Sequence, residues 1–461
     1  MEPDLAVSKG CTPATMAALR SPLDEPLLAP GKDDDEEQRG GGDDVSSSQL
    51  LLHQGTGGAS FSRSCLNLSN VISGVGMLSV PYALAQGGWL SLALFALVGA
   101  VCYYTGELVA RCMRAGGGGA GAVRSYPDIG QLAFGAAGRK AIGAVMYAEL
   151  YLVAISFLVL EGDNLDKLLP GAAVALPGGC LLHGRQLFIL AAAAVILPTT
   201  WLRDLSVLAY VSAVGLVASA ALTASLVWAG VAEHGFHAKD GNVFSLAGLP
   251  TSLSLYFVCF SGHGVFPTVY TSMRHKKDFT KVLLASSVLC SLNYAVTAVL
   301  GYLIYGDDVK SLVTLNLPSG KVYTRVAILT TLVTPLAKYA LVIQPITAGV
   351  EEKLLLTGAG TTGQGGNGFL RRAAISTGVL ASTVVAACTV PFFGYLMSFI
   401  GSSLNVTVAV LFPCLSYLRI YGPRGGLGRG EAAGIVGILV VGVCVAVVGT
   451  YTSVHQIAST F

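Results

Sequence analysis

The chain has 461 residues, 53% of them hydrophobic and only 12% charged, with a formal net charge of +2. A soluble globular domain carries about 25% charged residues, so this composition excludes an ordinary water-soluble fold and points to a polytopic protein of the lipid bilayer. The near balance of charge gives no electrostatic case for a nucleic-acid partner.

Residues 1–60 are polar, rich in Gly, Ser and Pro, and acidic at "KDDDEEQ" (32–38), with no apolar h-region of a signal peptide. Such a segment cannot bury enough apolar surface to offset its ordering entropy, and is expected to be a disordered cytosolic tail. Within it, "DEPLLA" (24–29) is similar to an acidic dileucine sorting signal, with the acidic residue off the usual spacing. Seven of the ten cysteines (Cys65, Cys102, Cys259, Cys290, Cys388, Cys414 and Cys444) fall in apolar runs as small hydrophobes, and Cys180 falls in a loop. No C-x-x-C pair occurs, so neither a disulfide framework nor a metal site is expected.

A helix needs roughly 20 apolar residues to cross the hydrocarbon core. The uncharged stretch 64–106 is interrupted by "QGGW" (86–89) and holds two spans. Further spans are expected over 142–160, 187–202, 205–229, 249–273, 282–305 and 323–346. The stretch 373–418 divides at "PFFG" (391–394) into two more, and 432 onward supplies the last, which makes eleven. With a cytosolic N-terminus, sixteen Lys and Arg fall in cytosolic loops against six on the other side. The positive-inside rule therefore predicts a cytosolic N-terminus and a lumenal C-terminus. The tract "GGGGAG" (116–121) reads as a flexible linker, since no strand precedes it as a phosphate loop requires. Ser125 followed by Asp128 predicts the capped start of a short interfacial helix.

Two short patterns, "SGVG" (73–76) and "SGHG" (261–264), sit near mid-span in the first and sixth spans, with Pro81 and Pro267 close behind. Glycine costs on the order of 1 kcal/mol against alanine in a helix interior, and paired glycines invite unwinding. Irregular backbone at membrane depth survives only inside protein or along a cavity. Glycines also serve close helix packing, which is the competing reading. Matched breaks in spans one and six predict two five-helix repeats, 61–230 and 231–420, with residues 421–461 as the eleventh helix and C-terminus. Five is odd, so the second repeat is inverted, and a ligand is expected at the midplane between the broken helices. Free amides near Met77 and Leu78 suit a carboxylate, while carbonyls at 71–73 and 260–262 suit a cation or an ammonium group. That pairing of donors with acceptors fits an amino acid.

Three ionisable residues lie within spans. His263 sits between the glycines of the second break, and suits either proton coupling or a neutral ring bonded to a freed carbonyl. Glu149 lies mid-span in the third helix and needs a partner or a proton. Lys338 in the eighth helix pairs with an acid or snorkels to the cytosolic end. Helices three and eight correspond under the inverted repeat, so a Glu149–Lys338 contact is one expectation. Thr331, Thr334 and Lys338 share a helical face suited to a coupling ion, with the amine able to stand in for sodium. No nucleophile–base pair or metal spacing stands out, so neither an enzyme nor a cofactor is expected.

The stretches "SFSRSCLNLSNVISGVGMLSVPYALAQGGWLSLALF", "SYPDIGQLAFG", "AELYLVAISFLVLEGDNL", "YFVCFSGHGVFPTVYTSM" and "PLAKYALVIQPI" occur in this order. Together they resemble the amino acid/auxin permease family, most of all its plant vacuolar amino acid transporters, relatives of the vesicular inhibitory amino acid transporter. The resemblance runs from about residue 60 to the last helix. It implies an all-α fold of eleven transmembrane helices in a five-plus-five inverted repeat with helices one and six broken. It also implies proton-driven amino acid transport by alternating access across a vacuolar membrane. Substrate-contacting roles carry over to Ser73, Gly74 and Gly76 and to Ser261, Gly262 and His263. The coupling candidates are His263, Glu149, Lys338, Thr331 and Thr334, with the proton favoured. A sodium-coupled carrier and an amino acid sensor with little flux are the alternatives.

Overall fold

Helical hydrogen bonding begins at Phe61, where the apolar sequence starts, and little else follows. The computed structural model describes residues 58–116, 123–175, 181–201, 211–236, 241–356, 367–390, 392–422 and 427–460. Expectations for residues 1–57, the glycine tract 117–121, Cys180 and the loop at 202–210 lie outside the described residues. All described residues belong to one unit, 44–461.

The first apolar run forms α1 (Phe61–Ile72) and α2 (Gly76–Gly87), bent by 55° at the break between them. Gly88, at φ 78°, turns the chain into α3 (Ser91–Ala115). α4 (Tyr126–Leu168) is capped by Asp128, whose Oδ2 accepts the Ser125 backbone N–H at 2.8 Å. Its first turns form the expected interfacial helix, which kinks at Gly135 (φ 69°) and continues as the third span. The span does not stop at 160 as the hydropathy predicts but runs on to Leu168, and this carries Glu161 and Asn164 inside the helix. A hairpin of β1 (Ala173–Ala175) and β2 (Leu181–His183), missed by the sequence reading, leads into α5 (Gly184–Trp201).

α6 (Val211–Ala229) ends in a π turn, Gly230–His234. α7 (Leu249–Cys259) and α8 (Phe266–Ser272) are the halves of the second interrupted helix, joined by a 3-10 turn, His263–Val265. Then come α9 (Phe279–Tyr305), α10 (Val322–Leu356) and α11 (Asn367–Thr389). α12 (Phe393–Phe399) passes through π segments at Ile400–Asn405 and Thr407–Leu411 into α13 (Phe412–Tyr421), and α14 (Arg429–Ala458) closes the chain.

Among the described residues, eight helical stretches are long and apolar enough to cross a membrane, and the bent α1–α2 pair makes nine. A shorter apolar helix covers Val217–Glu233. The α7–α8 pair adds no stretch to that total because neither piece has a full crossing length, with 11 and 7 residues. The molecule is thus an all-helical polytopic membrane protein. α1, α2, α7 and α9 pack together, α4, α5, α10 and α11 form a second group, and α6 packs along α10. The two helix breaks lie in the first group.

Candidate functional site

At the first break the helix stops at Ile72. Ser73, at φ −72° and ψ 76°, makes a tight turn in which the Gly74 N–H donates to the Ile72 carbonyl at 2.8 Å. Tyr294 of α9 bridges the same two residues. Its hydroxyl donates to the Ile72 carbonyl at 2.8 Å and accepts the Gly74 N–H at 3.1 Å. One phenol therefore satisfies both backbone groups that the break releases, which is how non-helical backbone is tolerated at membrane depth. The Met77 and Leu78 amides, expected to be free, close instead onto the Gly74 and Val75 carbonyls at 3.4 and 3.1 Å. The open polar surface of this break is at Ser73–Gly74.

The three glycines of the motifs are used differently. A Cβ on Gly74 would meet nothing nearer than 3.9 Å, so this face of the break is open. A Cβ on Gly76 would lie 3.1 and 3.2 Å from Cα and N of Cys259, so Gly76 lets α2 lie against the backbone of α7. A Cβ on Gly262 would meet Val71 at 3.3 Å, which places the second break against the end of α1. The two breaks are in contact.

At the second break, Ser261 donates its hydroxyl to Oε1 of Glu149 on α4 at 3.1 Å. His263 turns away from the opening. It is 1% exposed, and its Nε2 lies 3.0 Å from the Cys102 carbonyl and 3.0 Å from Thr105 Oγ1, both on α3. Thr105 gives its own proton to the Val101 and Cys102 carbonyls, so the imidazole is the donor toward α3. Phe266 covers the ring at 4.6 Å between centroids.

Lys338 does not reach Glu149. Its Nζ lies 3.4 Å from both the backbone oxygen and the Oδ1 of Asn70, one turn before the first break. Each ionisable residue is tied to a different break. A small cavity of about 50 Å³ opens on the first break, lined by Ser73, Gly74, Met77, Ser219, Thr331 and Thr334 among others. The Thr334 hydroxyl is buried with no hydrogen-bond partner. The structure therefore brings Ser73, Gly74, Thr331 and Thr334 to one cavity, sets Ser261, Gly262 and Glu149 beside it at the second break, and leaves His263 behind the second break.

Sequence reasoning missed Asn70, Tyr294 and Glu161. Asn70 stands inside a quoted motif, three residues before "SGVG", and a polar amide at that place was a usable signal. Tyr294 gave none, since a tyrosine in an apolar helix marks no partner. Glu161 was set aside because the span was ended at 160. It is 1% exposed, with Oε1 lacking a partner, one residue beyond Leu160 of the cavity wall.

Broken helices around a polar cavity suit a carrier of a small polar solute. The family described as transmembrane amino acid transporter protein matches residues 57–455. The chain belongs to this family. Its relatives include amino acid transporter AVT1I of Arabidopsis thaliana, 44% identical over 402 residues that span 87% of this chain and 96% of the relative. Amino acid transporter AVT1J of the same plant is 44% identical over 406 residues, 88% of this chain and 93% of the relative. A more distant one, amino acid transporter ANT1 of Arabidopsis thaliana, is 25% identical over 418 residues. Both breaks, Glu149 and Lys338 fall inside the matched region, so this family member carries its candidate site within the shared core.

Proposed function

We propose that the protein is a proton-coupled carrier of amino acids in an intracellular, vacuolar-type membrane, working by alternating access. The observation that carries the reading is the contact between two helix breaks beside a polar cavity, in a chain of the amino acid transporter family. In this reading the eight long spans, the α1–α2 pair, the Val217–Glu233 helix and the α7–α8 pair are eleven crossings. Spans one to five and six to ten form the inverted repeats. The cross-ties support that symmetry, because Glu149 of helix three holds helix six and Lys338 of helix eight holds helix one. An operation that exchanges the repeats exchanges these contacts. The Lys/Arg bias places the N-terminus in the cytosol and the C-terminus in the lumen.

The substrate lies at Ser73 and Gly74 on one side and at Ser261 and Gly262 on the other. Gly76 keeps the two broken helices close, and His263 anchors the second break to α3. Glu149 is the first candidate for the coupling proton, because its oxygen accepts from a serine of the break itself, so its charge acts on backbone that the substrate touches. Sodium coupling is the second reading, favoured by the Thr334 hydroxyl that faces no partner near Thr331. Against it stands the Lys338 ammonium, one helical turn from Thr334 and already on the Asn70 oxygens, which repels a second cation.

Uptake into liposomes holding the purified protein tests this. Labelled amino acids are supplied under a pH or a sodium gradient with the membrane potential clamped. Flux that follows the pH gradient is expected. Flux that requires sodium would replace the proton reading with the second one, and saturable binding without flux would make the protein a sensor.

A further inference from the structure

A second polar cavity lies between α5, α10 and α11, away from both helix breaks. Its polar lining is Thr199 and Thr200 of α5, Gln344 and Thr347 of α10, and Arg372 and Ser376 of α11. No acidic residue lines it among the described residues. The contrast between two adjacent arginines is informative. Arg371 reaches Oε1 of Glu351 with Nη2 at 2.8 Å and is neutralised there. Arg372 has no acid within 4 Å among the described residues, and its Nε is buried without a hydrogen-bond acceptor.

The other lining groups divide by what their hydrogens do. Thr199, Thr200 and Thr347 donate to the carbonyls of Ile196, Leu197 and Ile343 in their own helices. The Gln344 amide has a buried Oε1 with no partner, and half a turn of the amide presents its N–H groups instead. Ser376, 1% exposed, follows Arg372 by four residues and shares its helix face. A guanidinium N–H, an amide and a hydroxyl thus converge from two helices on a space with net positive charge. An arginine at this depth calls for a compensating negative charge, which the protein does not provide. Snorkelling toward the nearby Arg-rich end of the bundle accommodates the outer nitrogens but leaves Nε–H inside. The cavity holds about 10 Å³, room for one particle of the size of water and too little for a phosphate or a carboxylic acid.

We propose that this cavity binds a single small monovalent anion of the chloride class, held by Arg372 with Gln344 and Ser376. Such an ion ties α10 to α11 six residues beyond Lys338, and so stiffens the helix that carries Thr331, Thr334 and Lys338. The site is separate from the substrate cavity and does not depend on which ion drives transport.

The test follows thermal unfolding of the full-length purified protein in detergent as chloride replaces gluconate at fixed pH and ionic strength. A saturable rise in unfolding temperature is expected with chloride and with nitrate, and none with sulfate. Arg372→Gln should abolish the rise. Ser376→Ala and Gln344→Ala should each raise the half-saturating chloride concentration several-fold, and they keep the proposal testable if Arg372→Gln does not fold. A wild type indifferent to chloride, an equal effect of sulfate, or unaltered half-saturation in Ser376→Ala and Gln344→Ala would overturn it.

Discussion

Ser261 donates its hydroxyl to Glu149 Oε1 at 3.1 Å, so the carboxyl group of α4 is fastened to the second helix break. The first break has its counterpart in Lys338, whose ammonium lies 3.4 Å from both oxygens of Asn70. One acid and one base each hold the end of a different broken helix. A change of charge on either side chain alters a contact at the place where the backbone has left the helix. Coupling between an ion and a conformational change needs differential contacts of this kind in the two states.

Glu149→Gln retains size and an acceptor oxygen for Ser261 but cannot release a proton. Uptake driven by a pH gradient should fall at least about tenfold, which is ~1.4 kcal/mol of lost coupling. Exchange of internal for external amino acid without a gradient should persist. Unchanged gradient-driven uptake would remove Glu149 from the coupling role, and loss of exchange as well would make its role structural.

Since Glu149 and Lys338 form no ion pair, their effects should be independent. The combined Glu149→Gln and Lys338→Met variant is expected to equal the sum of the single losses, within about 0.5 kcal/mol in unfolding free energy. A double variant much less damaged than the sum would indicate a direct pair in another conformation of the cycle.

Two glycines a single turn apart should respond in opposite ways. Gly74→Ala adds a methyl group where no atom lies closer than 3.9 Å, so expression and thermal stability should be retained while apparent affinity for substrate falls. Gly76→Ala drives its methyl to 3.1 and 3.2 Å from backbone atoms of Cys259, which cannot move as a side chain would. Overpacking of this type costs about 1–3 kcal/mol, so the unfolding temperature should drop. Equal thermal stability of the two variants would contradict the assigned roles.

The positions of the helices were legible because hydropathy and turn residues set them locally. Gly88 ends α2, Ser125 and Asp128 start α4, and the interruption near 391 separates α11 from α12. The two breaks were legible for the same reason, as glycine acts on its own segment. Contacts across helices were not. Nothing in "SGHG" tells that His263 turns toward Cys102 and Thr105, or that Tyr294, 220 residues from Gly74, will bridge the first break. Glu161 was lost to a local rule. Hydropathy ends a span at the first charge, whereas helix propagation ignores a buried carboxyl group and continues to Leu168. The π segments of helix ten carried no recognised signal either.

His263 offers a direct check on that blind spot. Its Nε2 proton is committed to α3, so His263→Gln, which can still donate to the Cys102 carbonyl, should leave the pH dependence of uptake unaltered. His263→Phe should lower thermal stability by about 1 kcal/mol through the lost hydrogen bond, again without moving the pH midpoint. A shifted midpoint in either variant would return the proton to His263.

Tyr294→Phe is the sharpest probe of how the first break is maintained. The substitution removes one oxygen atom and leaves the ring among Phe260 and its other neighbours, at 6.4 Å between centroids. The Ile72 carbonyl keeps the Gly74 N–H at 2.8 Å as its only partner of the two, and the Gly74 N–H loses its bond to α9. A buried backbone group deprived of its partner costs about 1–3 kcal/mol. Because the deficit is confined to Ser73 and its neighbours, it should appear as faster amide exchange at residues 72–75 and weaker substrate binding, with the remaining helices protected as before. If exchange accelerated instead along the whole of α9, the phenol would be a general packing element and the break would be held by the Ser73 turn alone.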